Sequence, residues 1–180
     1  MTRFVMVIDT RTCIGCGDCV VACKTENNVP VGLNRDWVVE ATSGTYPDLK
    51  TEFRSERCNH CSNPTCVTLC PTGASHLWND TNIVLVEPEK CTGCKACIAA
   101  CPYDARLVMH PDGYIDKCTF CHHRVEKGLD PACVSTCPTG CMHFGSLDDP
   151  HSKVSQLLKT RDHKVLKPET GNEPNVYYLT

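Results

Sequence analysis

Apolar positions in this chain come in short runs, never in long stripes. Residues Met1 to Asp9 read as a single strand, and the run is too short for a signal-peptide core. Trp37-Val-Val-Glu40 and Lys50-Thr-Glu-Phe-Arg54 flank the turn-rich stretch Ser43 to Asp48, a pattern that predicts a hairpin. Further short strands are expected at Ile83–Val86, Arg106–Met109, Gly113–Ile115 and Met142–Phe144. Ser152 to Lys159 puts Val154, Leu157 and Leu158 on one face of a short helix. Pro168 to Thr180 is rich in Pro, Gly and Asn and predicts an extended end. No apolar run approaches the roughly 18 residues of a spanning helix.

Composition changes this picture in one respect. Apolar residues make up 41% of the 180, but 17 of them are cysteines and aromatics are only 6%. Without the cysteines the apolar share falls to roughly a third, which buries a thin core and calls for covalent or metal staples. The formal charge of −3 argues against nucleic acid as a partner.

The cysteines fall into four groups of four. The first is Cys13-x2-Cys16-x2-Cys19-x3-Cys23, and the second is Cys58-x2-Cys61-x4-Cys66-x3-Cys70-Pro71. The third is Cys91-x2-Cys94-x2-Cys97-x3-Cys101-Pro102, and the fourth is Cys118-x2-Cys121-x11-Cys133-x3-Cys137-Pro138. Cys141 is left over. Zinc prefers separated pairs with tetrahedral closure, and a disulfide framework fits neither an odd count nor the absence of a signal segment.

The first and third groups carry the bacterial ferredoxin spacing for 4Fe–4S clusters. Three thiolates set on one turning loop reach three corners of a cubane, while the fourth begins a helix leading to the other cluster of a pair. Proline suits the position after that fourth cysteine; the first group has Lys24 there instead. The second and third groups have the separation of an ordinary two-cluster unit. Cys58, Cys61 and Cys66 are then expected to take Cys101, and Cys91, Cys94 and Cys97 to take Cys70. Four oxidised clusters would bring the net charge to roughly −11, a load that needs N–H donors and nearby cations. Lys24, Lys90, Lys95, Lys117 and Arg124 adjoin cysteines and are candidates for tuning the potentials; solvated side chains are the plain alternative.

Five phrases carry a family resemblance: Cys58-Asn-His-Cys-Ser-Asn-Pro-Thr-Cys66, Cys70-Pro-Thr-Gly-Ala74, Cys101-Pro-Tyr-Asp-Ala-Arg106, Lys117-Cys-Thr-Phe-Cys121 and Cys137-Pro-Thr-Gly140. The chain resembles the four-cluster iron–sulfur subunits of the molybdopterin (dimethyl sulfoxide reductase type) oxidoreductases, nearest to those of polysulfide and thiosulfate reductases. The resemblance implies that the first and fourth groups pair around the outside. Cys13, Cys16 and Cys19 would take Cys137, while Cys118, Cys121 and Cys133 would take Cys23. It implies an α+β fold of two nested ferredoxin-like modules, with a hairpin insertion and an extended C-terminal tail. The outer module would comprise residues 1–24 and 103–150, the hairpin 25–54, the inner module 55–102, and a terminal helix and tail 151–180.

The same resemblance implies a non-catalytic electron-transfer subunit with four 4Fe–4S clusters. Its partners would be a catalytic subunit holding molybdopterin guanine dinucleotide and a multi-spanning membrane anchor that oxidises quinol. With no span of its own, it would sit peripherally on the cytoplasmic membrane, on the extracytoplasmic face if a partner exports it folded, the cytoplasmic face being the alternative. A wire for a formate dehydrogenase or hydrogenase, or a redox sensor, are the competing functions. Cys141 reads as a small buried hydrophobe, with ligand exchange as the sharper alternative. His60, His122 and His123 have supporting or solvent-facing roles around cysteines already sufficient for iron. Trp37, Trp78, Tyr103, Tyr177 and Tyr178 read as packing residues, the terminal tyrosines also as docking candidates.

Overall fold

A computed structural model describes residues 1–180. Strand β1 (Phe4–Asp9) lies at the heart of a four-stranded sheet. It pairs antiparallel with β8 (Met142–Ser146) and parallel with β10 (Val176–Leu179), which pairs in turn with β9 (His163–Lys164). Alternation along β1 divides its side chains between two layers. Val5 and Val7 join Val154 and Leu179 beneath helix α6 (Lys153–Thr160). Met6 and Ile8 face a larger core that includes Cys19, Cys58, Cys118 and Cys133. Both faces of the strand are therefore closed, and Val5 to Ile8 are fully buried.

The helix over 153–160 forms as its pattern predicts, and Ser152 caps it by accepting from the Ser155 N–H at 3.2 Å. The chain end is extended, as its pattern predicts, but it is not peripheral. Residues 176–179 form an interior strand, held by Asn175, whose side chain donates to the His60 carbonyl at 2.7 Å. Tyr178 is fully buried, donates to the Ser55 carbonyl at 3.2 Å and is closed to any partner. Tyr177 is partly buried and accepts from Arg3. Composition points to turns, and a short 3-10 turn at Pro168–Thr170 uses them up before the strand begins.

The hairpin also exceeds its predicted extent. β2 (Asp36–Thr45) and β3 (Asp48–Arg57) pair in register over ten residues each, so the stretch expected to be a loose turn is ladder almost to its end. Its tip is exposed and its base is buried, with Asp36, Ser55 and Arg57 inside. Two small hairpins complete the sheets: β4 (Ser75–Leu77) with β5 (Val84–Val86), and β6 (Leu107–Val108) with β7 (Ile115–Asp116).

The remaining helices are short and each begins within a cysteine group. α1 (Asp18–Glu26) follows the first loop; α2 (Thr65–Thr68) and α3 (Ala96–Ala99) belong to the second and third groups. α4 (His122–Val125) and α5 (Ala132–Thr136) belong to the fourth. Where Cys-Pro follows, the helix stops at once. Lys24 in place of proline lets α1 run on past Cys23 to Glu26. No helix is long and apolar enough to cross a membrane.

Candidate iron–sulfur sites

Each cysteine loop turns at the same place. The residue two after the first cysteine adopts a left-handed backbone in all four groups: Gly15 (φ +70°), His60 (+43°), Gly93 (+66°) and Phe120 (+51°). Glycine takes this conformation without cost, and its missing side chain is used here. A Cβ on Gly15 would meet the Phe53 ring at 2.5 Å, and one on Gly93 the Gly113 carbonyl oxygen at 2.7 Å. His60 and Phe120 bear the strain in the core, stacked on each other with ring centroids 3.8 Å apart.

The loops gather the cysteines into four sets. One small cavity is lined by Cys58, Cys61, Cys66 and Cys101, and another by Cys70, Cys91, Cys94 and Cys97. A third is lined by Cys13, Cys16, Cys19 and Cys137, drawn from distant parts of the chain. Cys23, Cys118, Cys121 and Cys133 form the fourth set. All four are buried, and Asn27 Nδ2 donates to both Cys23 Sγ (3.7 Å) and Cys121 Sγ (3.8 Å). Glu26 on α1 ties this set together from outside, bonding His123 at 2.7 Å and Arg124 at 3.1 Å on α4.

Buried cations stand between the sets. Arg57 Nη1 donates to Cys133 Sγ at 3.0 Å, and its charge also faces Cys118 and Cys19. Arg106 lines both the Cys58 and the Cys91 cavities and is anchored to Ser75 Oγ at 2.8 Å. Lys117, 1% exposed, faces Cys58, Cys66 and Cys118, and donates to the Val84 and Cys118 carbonyls. Of the cations named from sequence, only Lys117 is fully buried. Lys24 bonds the Pro30 and Leu33 carbonyls, Lys90 pairs with Glu87 at the surface, and Lys95 is exposed. Arg57 and Arg106 were not among them. Position beside Cys58, and inside the Cys101-Pro-Tyr-Asp-Ala-Arg106 phrase, are the signals that could have pointed to them.

The donor set fits anionic iron–sulfur groups. Burial pushes the Cys61 and Cys118 thiols up to about 12 and Cys133 to about 11, so an empty set favours neutral thiols while a bound metal ion would hold them as thiolates. Arg106 Nη1 and Arg57 Nε are buried N–H groups without a protein partner, which is costly unless an anion lies beside them. Cys141 is buried in the main core, as a small apolar residue would be. Its Sγ lies 3.4 Å from Cys137 Sγ on the wall of the Cys13 cavity, and burial keeps it a protonated donor. His60 is also buried and neutral; its Nδ1 accepts from the Val84 N–H at 3.0 Å.

Comparison with known proteins agrees. Residues 49–147 and residues 12–74 each match a 4Fe-4S dicluster domain family. The arsenate respiratory reductase iron-sulfur subunit of Shewanella sp. (strain ANA-3) is 37% identical, over 98% of this chain and 96% of its own. A tetrathionate reductase subunit of Salmonella typhimurium is 44% identical over 98% and 72% of the two chains. A putative dimethyl sulfoxide reductase iron-sulfur subunit of Halobacterium salinarum is 40% identical over 99% and 79%. The two dicluster matches and these relatives place this chain in the family of iron–sulfur electron-transfer subunits of the molybdopterin oxidoreductases.

Proposed function

We propose that this chain carries four 4Fe–4S clusters, one per cysteine set, and joins a quinol-oxidising membrane anchor to a molybdopterin subunit that reduces a sulfur- or oxyanion-type substrate. The sixteen ligands are those of the four sets above, with the first and fourth groups nested around the second and third. Relatives named for arsenate, tetrathionate and dimethyl sulfoxide reductases support the substrate class. Each cluster supplies reversible one-electron chemistry.

The observation that carries this reading is the row of buried cations that links each cysteine set to the next. Arg57 stands between the Cys13 and Cys118 sets, Lys117 between the Cys118 and Cys58 sets, and Arg106 between the Cys58 and Cys91 sets. The ends of that row are the sets with an exposed member, Cys16 and Cys94, whereas the Cys118 set is buried throughout. Solvent-facing ends suit exchange with two different partners, and the dry interior suits passage between them. The protein's part is to hold the sites close, exclude water and set potentials. Attachment to the cytoplasmic membrane would come through the anchor, on the extracytoplasmic face if a partner carries this chain across.

Iron and acid-labile sulfide per chain on anaerobically purified protein, with electron paramagnetic resonance during reductive titration, tests the proposal. About sixteen of each and several mutually interacting signals are expected. About twelve iron would remove one set from the row, and stoichiometric zinc would end the reading.

A further inference from the structure

We propose that Arg57 is a positioning residue shared by two cysteine sets, setting together the reduction potentials of the groups held by the Cys13 set and by the Cys118 set. The inference rests on the four-cluster reading and deepens it by naming the residue that links two neighbouring sites.

Arg57 ends β3, and its guanidinium is enclosed with 1% exposure at the hairpin base. Nη1 donates to Cys133 Sγ at 3.0 Å, a member of the Cys118 set. Nη2 donates to Ser55 Oγ, and that hydroxyl lies 3.4 Å from Cys19 Sγ in the Cys13 set. With its oxygen occupied by the guanidinium, the Ser55 hydroxyl proton is free to point at Cys19. One cation thus touches one thiolate directly and a second through a single hydroxyl. Its carboxylate neighbour is Asp36, 3.7 Å away and equally buried, too distant for a close hydrogen bond.

The charge persists in this setting. A guanidinium is not deprotonated in proteins, and here it lies against Cys133 Sγ and 3.7 Å from the Asp36 carboxylate. A fixed cation in a low-dielectric interior favours the state carrying one more electron at each site it faces. Reduction at either site also spends part of the compensation on which the other draws. The two sites are therefore tuned upward together and opposed to each other once one is reduced. Lysine is a point charge without a fork and cannot reach both partners.

The test uses the full-length, cluster-loaded chain and its Arg57→Gln, Arg57→Lys and Ser55→Ala variants. Iron and sulfide content comes first: a native chain well below sixteen iron refutes the four-cluster reading, independently of any potential. Potentiometric titration followed by electron paramagnetic resonance then tests Arg57 itself. Arg57→Gln should lower two of the four potentials, each by a tenfold or larger fall in the reduction equilibrium, which is 59 mV for one electron. Ser55→Ala should lower one of those two and leave the other three in place. Arg57→Lys should recover part of the Arg57→Gln shift, which a purely structural role does not predict. Should Arg57→Gln lose iron, Ser55→Ala decides, since it removes only a hydroxyl. Full iron with unshifted potentials in Arg57→Gln, or no shift in Ser55→Ala, overturns the proposal.

Discussion

Lys117 and Lys90 are both next to a cysteine in sequence, yet their electrostatic weight differs. Lys90 lies at the surface beside Glu87, where water and the carboxylate screen it. Lys117 is enclosed between the Cys58 and Cys118 sets with only carbonyls to bond. Lys117→Met is expected to lower the potential of at least one neighbouring cluster by about 59 mV, a tenfold change in equilibrium, and Lys90→Met to leave all four in place. Redox titration of the two variants side by side checks this. Sequence adjacency could propose both lysines but could not separate them, because burial is decided by partners more than thirty residues away, such as the Val84 carbonyl. Arg57 carries the same adjacency signal beside Cys58, whereas Arg106 lies five residues past Cys101 and is brought to the cysteines by the fold. Cysteine spacing is local and legible; the cation that serves two cysteine groups is a tertiary fact.

The four loops share a backbone solution that side-chain identity conceals. Two use glycine at the left-handed position and two use buried aromatic rings, so no residue motif spans the four. In the Cys91 loop the glycine has a second reason, since the Gly113 carbonyl closes over it. Gly93→Val should lose about four iron and keep about twelve, by combining a left-handed β-branched residue with a clash against backbone. Iron analysis, with loss of one signal in the resonance spectrum, measures it. Strand existence was legible from short apolar runs, whereas strand extent was not. The hairpin ladder runs through exposed residues at 41–45 and 48–51, held by pairing rather than by a buried apolar face. The closing strand was masked by the turn residues preceding it, and only β1 beside it explains why Val176, Tyr178 and Leu179 are buried.

Across the whole molecule eight of the 27 buried apolar residues are cysteines, so stability without metal depends on their protonation. Cys61 and Cys118 are raised from 9.0 to about 12, and Cys133 to about 11, by burial. A group whose folded pKa is raised adds stability that is complete below its unfolded value and lost as pH rises toward the folded one. Cluster-free chain should therefore melt at progressively lower temperature between about pH 9 and pH 12. The loaded chain, whose thiolates are already coordinated, should change much less over the same range. Paired thermal melts across that range read the difference directly.

The parallel pairing of β1 with β10 carries a consequence for how such a chain is made. A ribosome releases Phe4–Asp9 long before Val176–Leu179, so the central strand lacks its parallel neighbour throughout that interval. Cys13 likewise waits for Cys137, while Cys58 to Cys101 emerge within one short interval. Iron delivery therefore has a natural schedule: the middle of the chain can be filled first, and the flanks only once Cys133 and Cys137 have emerged. Any factor that inserts metal into the Cys13 and Cys118 sets must act after those residues are made, and a product truncated before them is left with its first loop unclosed.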